Sequence, residues 1–165
     1  MIGQRILASM GRQIGRTLSR RSLADAAPAR EGMAFTLASP SEMYYHNADV
    51  KQVDVPSYSG DFGILAYHVP CLAVLKPGVV TVYPKDGDLK RYFVSSGTIT
   101  INEDSTVQVL AEQAVPVDRL DSGLVQDGLQ KAQQQLASAG DEGAKMEAQI
   151  LVEVHEAMQK AVIGL

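Results

Sequence analysis

The chain has 165 residues, enough for one modest domain with an appendage and too few for two large ones. Its 45% hydrophobic and 21% charged residues are ordinary for a soluble protein, and no apolar run approaches the roughly 20 residues that span a bilayer, which excludes a transmembrane helix. The net charge of −4 hides an asymmetry: five arginines and no acid lie in the first 24 residues, so beyond them ten basic residues face nineteen acidic ones, a net of −9 that argues against a sequence-independent grip on nucleic acid.

Helical spacing puts Ile2, Ile6, Leu7, Met10, Ile14 and Leu18 on one face of the N-terminal segment, with Arg5, Arg12 and Arg16 opposite and serines at 9, 19 and 22. An Arg-rich, acid-free amphipathic start has the character of a mitochondrial transit peptide over residues 1–22. A basic amphipathic helix kept on the mature chain for membrane-surface binding is the other reading of the same pattern. Arg21-Ser22-Leu23-Ala24 resembles a matrix-protease context, which places cleavage within residues 22–28.

From residue 33 to residue 117 short runs rich in Val, Ile, Thr, Tyr and Phe alternate with turn residues. Strands are predicted over Met33–Ala38, Val50–Val55, Val79–Tyr83, Arg91–Val94, Thr98–Ile101 and Thr106–Leu110. Asp86-Gly87 marks one hairpin and Asn102–Ser105 a second. Many short strands at regular spacing point to an antiparallel β-sandwich or barrel.

After Pro116 the period changes. Asp118 is a plausible N-cap with Asp121 three residues on. Leu120, Leu124, Leu129, Ala132 and Leu136 then follow 3–4 spacing. Ser138–Gly143 breaks the pattern and offers Asp141 as a second cap, and Met146, Ile150, Val154, Met158 and Ala161 resume it. An antiparallel two-helix hairpin over residues 118–165 is expected, with Leu120, Leu124, Leu129, Leu136, Ile150, Val154 and Met158 as its packing residues. Helices of about five turns are marginal alone, so these stripes must pack on each other and on something else.

The search for chemistry returns little. His46, His68 and His155 lie apart with no HExxH or comparable metal spacing. There is no P-loop and no GxSxG elbow, and the paired acids Glu103-Asp104 and Asp141-Glu142 sit in turns. Cys71 has no partner for a disulfide or a metal, and its apolar neighbours predict a buried structural thiol. No catalytic residue, cofactor or metal site is assigned.

One stretch stands out, Gly60–Gly78, which reads GDFGILAYHVPCLAVLKPG. Four features occur in order. The first is Gly60-Asp61-Phe62-Gly63-Ile64-Leu65 with His68 and Pro70, and the second is Leu75-Lys76-Pro77-Gly78 before a Val-rich strand. The third is Tyr92-Phe93-Val94-Ser95-Ser96-Gly97. The fourth is Val107–Ala114 followed by Asp118 and Asp121. Together they resemble the delta/epsilon family of F-type ATP synthases over about residues 33–165, and the basic leader agrees with its mitochondrial branch.

The resemblance implies a non-catalytic rotor subunit at the foot of the central stalk, beside the gamma subunit, a small mitochondrial epsilon subunit and the membrane-embedded c-ring. It would lie on the matrix side of the mitochondrial inner membrane and carry torque from proton flow to the subunits that make ATP. Matching by motif, Gly60, Asp61, Phe62, Gly63, Tyr67 and His68 are its c-ring-facing candidates: glycines permit close backbone approach, and Asp61 and His68 offer polar partners. Some bacterial relatives bind ATP through an Asp-x-x-Arg-Ala motif on the first helix. Here Gln126-Asp127-Gly128-Leu129-Gln130-Lys131-Ala132 lacks that arginine, so no regulatory ATP site is expected. The alternative reading is a small matrix β-sandwich that binds a metabolite or assists an enzyme. It would need a lined pocket, and aromatic residues are only 5% of the chain.

Overall fold

The computed structural model describes residues 32–164; the leader read over residues 1–22 lies outside them. Strands β1 (Met33–Ala38), β2 (Met43–Val55), β3 (Phe62–Leu65), β4 (Cys71–Leu75) and β5 (Gly78–Pro84) come first. β6 (Lys90–Val94), β7 (Gly97–Ile101), β8 (Thr106–Ala111) and β9 (Ala114–Pro116) follow. Helices α1 (Ser122–Ser138) and α2 (Glu142–Ile163) complete the described chain.

The strands hydrogen-bond in the order β4-β7-β8-β1-β2-β5-β6-β9, with β3 added on β2. β2 makes this one continuous path. Its first half pairs with β1, whereas its second half has β5 on one edge and β3 on the other, and the register shifts between Val50 and Gln52. The sheet therefore folds over along a single strand, as bulged strands do when they turn a corner. The pairs are antiparallel except β1 with β8, which run side by side in the same direction.

Period-2 alternation explains the interior. Met33, Phe35 and Leu37 of β1 meet Val53, Ile64, Val80, Val82, Ile99 and Val109 with no exposed surface. Burying a side chain of this size stabilises by about 1.5–3 kcal/mol. β-branched residues dominate because their stiff χ1 suits the pleated surface. Cys71 is only partly buried at the margin of this core, less than its neighbours suggested, because Leu72 and Val74 point outward on the exposed face of β4.

An aromatic group closes one side. Tyr44 donates to the Ala114 carbonyl at 2.6 Å and lies 4.9 Å from the Tyr92 ring, while Tyr45 sits 5.5 Å from Phe35 and 5.8 Å from Tyr92. The Tyr45 hydroxyl is buried with no hydrogen-bond partner at bonding geometry. Burial above all, with the neighbouring Tyr92 phenol second, pushes its pKa well above the ordinary 10.0. A raised folded-state pKa stabilises the fold fully below the unfolded value, and that contribution is lost as pH climbs past it toward the folded one. Stability should therefore decline above pH ~10. Tyr45→Phe should soften that decline and raise stability at neutral pH by about 1 kcal/mol, because an unsatisfied buried hydroxyl is removed. Urea unfolding at pH 7 and pH 10.5 checks both, and a variant clearly less stable at pH 7 would contradict the reading.

A single 3-10 turn, Val117–Arg119, links sandwich to hairpin. The first cap is Asp121 rather than Asp118: its carboxylate accepts from the Gly123 and Leu124 amides at 2.8 and 3.1 Å. Asp118 falls in the 3-10 turn, one turn too early. Asp141 caps α2 as read, accepting from the Ala144 amide at 2.6 Å.

The hairpin packing differs from the expected stripe. Val125 and Ala132 of α1 and Ala148 of α2 are buried where the helices meet, with Leu129 and Leu136 partly buried. At Gly128 an added Cβ would lie 2.4 Å from Nε2 of His155. Small residues thus draw the helices close, and the larger aliphatics flank the seam. Leu124 and Ile150, expected in the packing, are 71% and 59% exposed. Leu120, Val154 and Met158 instead pack on the sandwich with Phe93, Val117, Val79 and Ala161. Arg91 adds a hydrogen bond from Nη1 to the Gly164 carbonyl at 2.6 Å.

Candidate functional site

The Gly60–Pro70 segment is a strand held between two turns rather than one loop. The first turn is built by Ser57, whose side chain is almost wholly buried. Its hydroxyl donates to the Gly60 carbonyl at 2.7 Å and lies 2.8 Å from that of Ser59, while the Gly60 amide closes back on the Ser57 carbonyl. Gly60 takes φ +123°, which only glycine adopts readily. Asp61 then pairs with Lys76 at 2.8 Å, joining this turn to the Lys76-Pro77-Gly78 corner. Both groups are substantially exposed, so the pair orients more than it stabilises.

β3 lies along β2 with Gly63 opposite Asp54 and Ile64 opposite Val53. Ile64 anchors it in the core. At Gly63 a Cβ would stand 2.8 Å from Oδ1 of Asp54 and 3.3 Å from Nε2 of Gln52, so those side-chain ends would have to shift to admit one. Those two side chains already bond to each other at 2.6 Å. A side chain at Gly63 would have to displace that pair. Phe62 packs partly on the core and lies 6.1 Å from the His68 ring.

The second turn runs from Leu65 to His68, closed by the His68 amide on the Leu65 carbonyl. His68 Nδ1 donates to the Val69 carbonyl at 2.8 Å, so the ring braces its own turn. Tyr67 has φ +63°, and its amide donates to Oγ of Ser105 at 3.2 Å. The six residues matched by motif are thus distributed. Gly60 and Asp61 stand at one end of β3, Phe62 and Gly63 on it, and Tyr67 and His68 at the far end. Tyr67 is the most exposed of the aromatics, at 70%, with Val69 beside it at 70%. Ser57, Ser105, Gln52 and Asp54 were not singled out from the sequence: Ser105 acts on a residue 38 positions away, while the Ser57 turn and the Gln52–Asp54 pair are local contacts that no sequence pattern marks.

Among the described residues no group of three or more His, Cys, Asp or Glu side chains is placed to hold a metal ion. No described helix is long and apolar enough to cross a membrane. Asp127 and Lys131 lie on exposed positions of α1.

Residues 32–117 match the family model for the ATP synthase delta/epsilon chain β-sandwich domain. The chain belongs to the ATP synthase delta/epsilon family. Residues 120–161 match a second model, the C-terminal domain of the metazoan delta subunit of F1F0-ATP synthase. Among relatives of this family, the mitochondrial ATP synthase subunit delta of Caenorhabditis elegans is 46% identical over 148 residues, covering 87% of this chain and 90% of its own. The mitochondrial subunit delta of Agaricus bisporus is 36% identical over 151 residues, covering 87% and 93%. A chain in the Euglena gracilis mitochondrial ATP synthase structure of OSCP, F1 and c-ring superposes with a TM-score of 0.74 at 25% identity, covering 86% of this chain and 87% of that one. A Tetrahymena thermophila central-stalk and c-ring structure holds a chain with the same fold, TM-score 0.61 at 16% identity, over 80% and 97%. The family's sandwich-plus-hairpin layout is the one the sequence pattern implied.

Proposed function

We propose that this protein is a central-stalk subunit of the mitochondrial proton-transporting ATP synthase, coupling rotation of the c-ring to ATP synthesis in the catalytic head. The observation that carries the reading is its 46% identity to a mitochondrial subunit delta across nearly the whole of both chains. Its partners are the gamma subunit, the small epsilon subunit and the c-ring, on the matrix side of the inner membrane. It is peripheral to that membrane, held through the complex. The chain works in three parts: a leader over residues 1–22, the sandwich over 33–117 and the hairpin over 118–165. Catalysis belongs to other subunits, and this one contributes shape and stiffness.

The edge from Gly60 to His68 is the surface for the ring, with Gly60, Asp61, Phe62, Gly63, Tyr67 and His68 as its residues. Co-migration of the tagged chain with the intact synthase on a native gel tests the assignment, and migration only as a free protein would overturn it. Within the complex, Gly63→Trp and His68→Glu should each lower retention of the ring on the stalk at least tenfold, about 1.4 kcal/mol. Gly63→Trp acts by displacing the Gln52–Asp54 pair. Normal ring retention in both variants removes this edge from the interface.

A further inference from the structure

We infer that Ser105 is a positioning residue for the ring contact: it holds Tyr67 in a left-handed backbone so that Tyr67, with Val69, projects from the end of the sandwich as the anchor of that contact. The inference rests on the proposed stalk function and moves the weight of the interface away from the glycines. Left-handed backbone is uncommon for a residue other than glycine, and more so for a bulky one. Here two such residues face each other from turns 38 residues apart: Tyr67 at φ +63° and Ser105 at φ +61°, joined by the Tyr67 amide donating to Oγ of Ser105 at 3.2 Å.

Ser105 is one of two buried polar residues among the described ones, 8% exposed, whereas the side chain it steers is 70% exposed. Its own turn is fixed as well. Its amide bonds to the Asn102 carbonyl, and Asn102 Nδ2 donates to Oγ1 of Thr106 at 2.8 Å. Unfavourable backbone that is over-determined by its surroundings clusters at functional sites, and Tyr67 carries it at an accessible end of the sandwich. β4 begins opposite the last residue of β7, Cys71 facing Ile101, so the Leu65–Pro70 and Asn102–Ser105 turns share one end of the sandwich. Exposed Tyr67 and Val69 sit there beside the polar Glu103 turn, the arrangement of an apolar anchor within a polar rim. Its occupant is the c-ring, continuous with the edge proposed above.

The synthase is assembled with each variant in place of the wild-type chain, and ring retention is measured alongside amide exchange and thermal unfolding of the full chain. Tyr67→Gly relieves the left-handed backbone, so the fold should be at least as stable while ring retention falls tenfold or more. Ser105→Gly keeps its own turn but removes the acceptor. Exchange at the Tyr67 amide should then rise about fivefold, the loss of one ordinary hydrogen bond, and ring retention should fall with it. Ser105→Asn tolerates left-handed backbone and carries an acceptor, so it should restore both. Wild-type retention in Tyr67→Gly, or unchanged exchange and retention in Ser105→Gly, overturns the inference while leaving the stalk assignment intact. A wild-type chain absent from the purified synthase overturns that assignment and this inference with it.

Discussion

Gly97→Ala is expected to destabilise the sandwich by about 3–5 kcal/mol, a large share of what a domain of this size has. Gly97 opens β7 opposite Ala111, the last residue of β8. An added Cβ would stand 2.3 Å from the Leu110 carbonyl oxygen and 2.8 Å from the Ala111 Cα, both backbone atoms of a ladder strand. No rotamer change can yield that space. The strand would have to shift, and the corner does not permit it: the Ser95 amide bonds to the Gln113 carbonyl and the Glu112 amide to the Ser96 carbonyl. Gly97 also holds φ +156°, beyond the range a side-chain-bearing residue takes easily. Urea unfolding of the full chain checks the size of the effect. Gly140→Ala is the control, since nothing lies within 4 Å of a Cβ there. An unfolding midpoint near wild type for Gly97→Ala would refute the close approach.

Gly128→Ala should loosen the helical hairpin even though alanine is the better helix former. Propensity alone would favour the variant by about 1 kcal/mol. Against this stands the His155 ring, 2.4 Å from the new methyl carbon. That ring is held by its own hydrogen bond, Nδ1 donating to the Leu151 carbonyl at 2.8 Å. Moving it breaks the bond or parts the helices, and overpacking of this kind costs about 1–3 kcal/mol. The balance of these two effects is a net loss of up to about 2 kcal/mol. The double variant Gly128→Ala with His155→Ala should recover most of it, a coupling that thermal unfolding and amide exchange along α1 and α2 would measure. A gain in stability for Gly128→Ala alone would show that the seam can relax.

The sequence showed the six strands whose β-branched residues alternate or lie between clear turns. It did not show β3, β4, β9 or the first half of β2. β4 reads Cys-Leu-Ala-Val-Leu because both its faces carry apolar side chains, so no alternation marks it. β3 is disguised by Gly63, a residue with low strand preference that belongs to the sheet through its backbone pairing opposite Asp54. On the hairpin the helical period was legible and its phase was not. The leucine stripe looked like the seam, yet glycine and alanine made the closer contact and left Leu124 and Ile150 facing out. The spacing favoured Asp118 as the first cap, and Asp121 takes the role because a 3-10 turn packed through Val117 delays the helix. The Gly60–Pro70 segment was legible as a pattern of glycines, histidine and proline. What holds it was not: Ser105 acts through a contact that exists only once the sheet has closed, and no sequence pattern marks the Ser57 turn.

The path of β2 has a mechanical consequence. A sandwich of two separate sheets joined only by loops can slip, one layer sliding over the other. Here thirteen residues of one extended backbone run through both layers, with β1 hydrogen-bonded to one stretch and β3 and β5 to the next. Slip between the layers would have to stretch covalent bonds or strip ladder hydrogen bonds from both at once. A twisting load applied to either layer is therefore shared along a single spine, and the sandwich answers it as a stiff block.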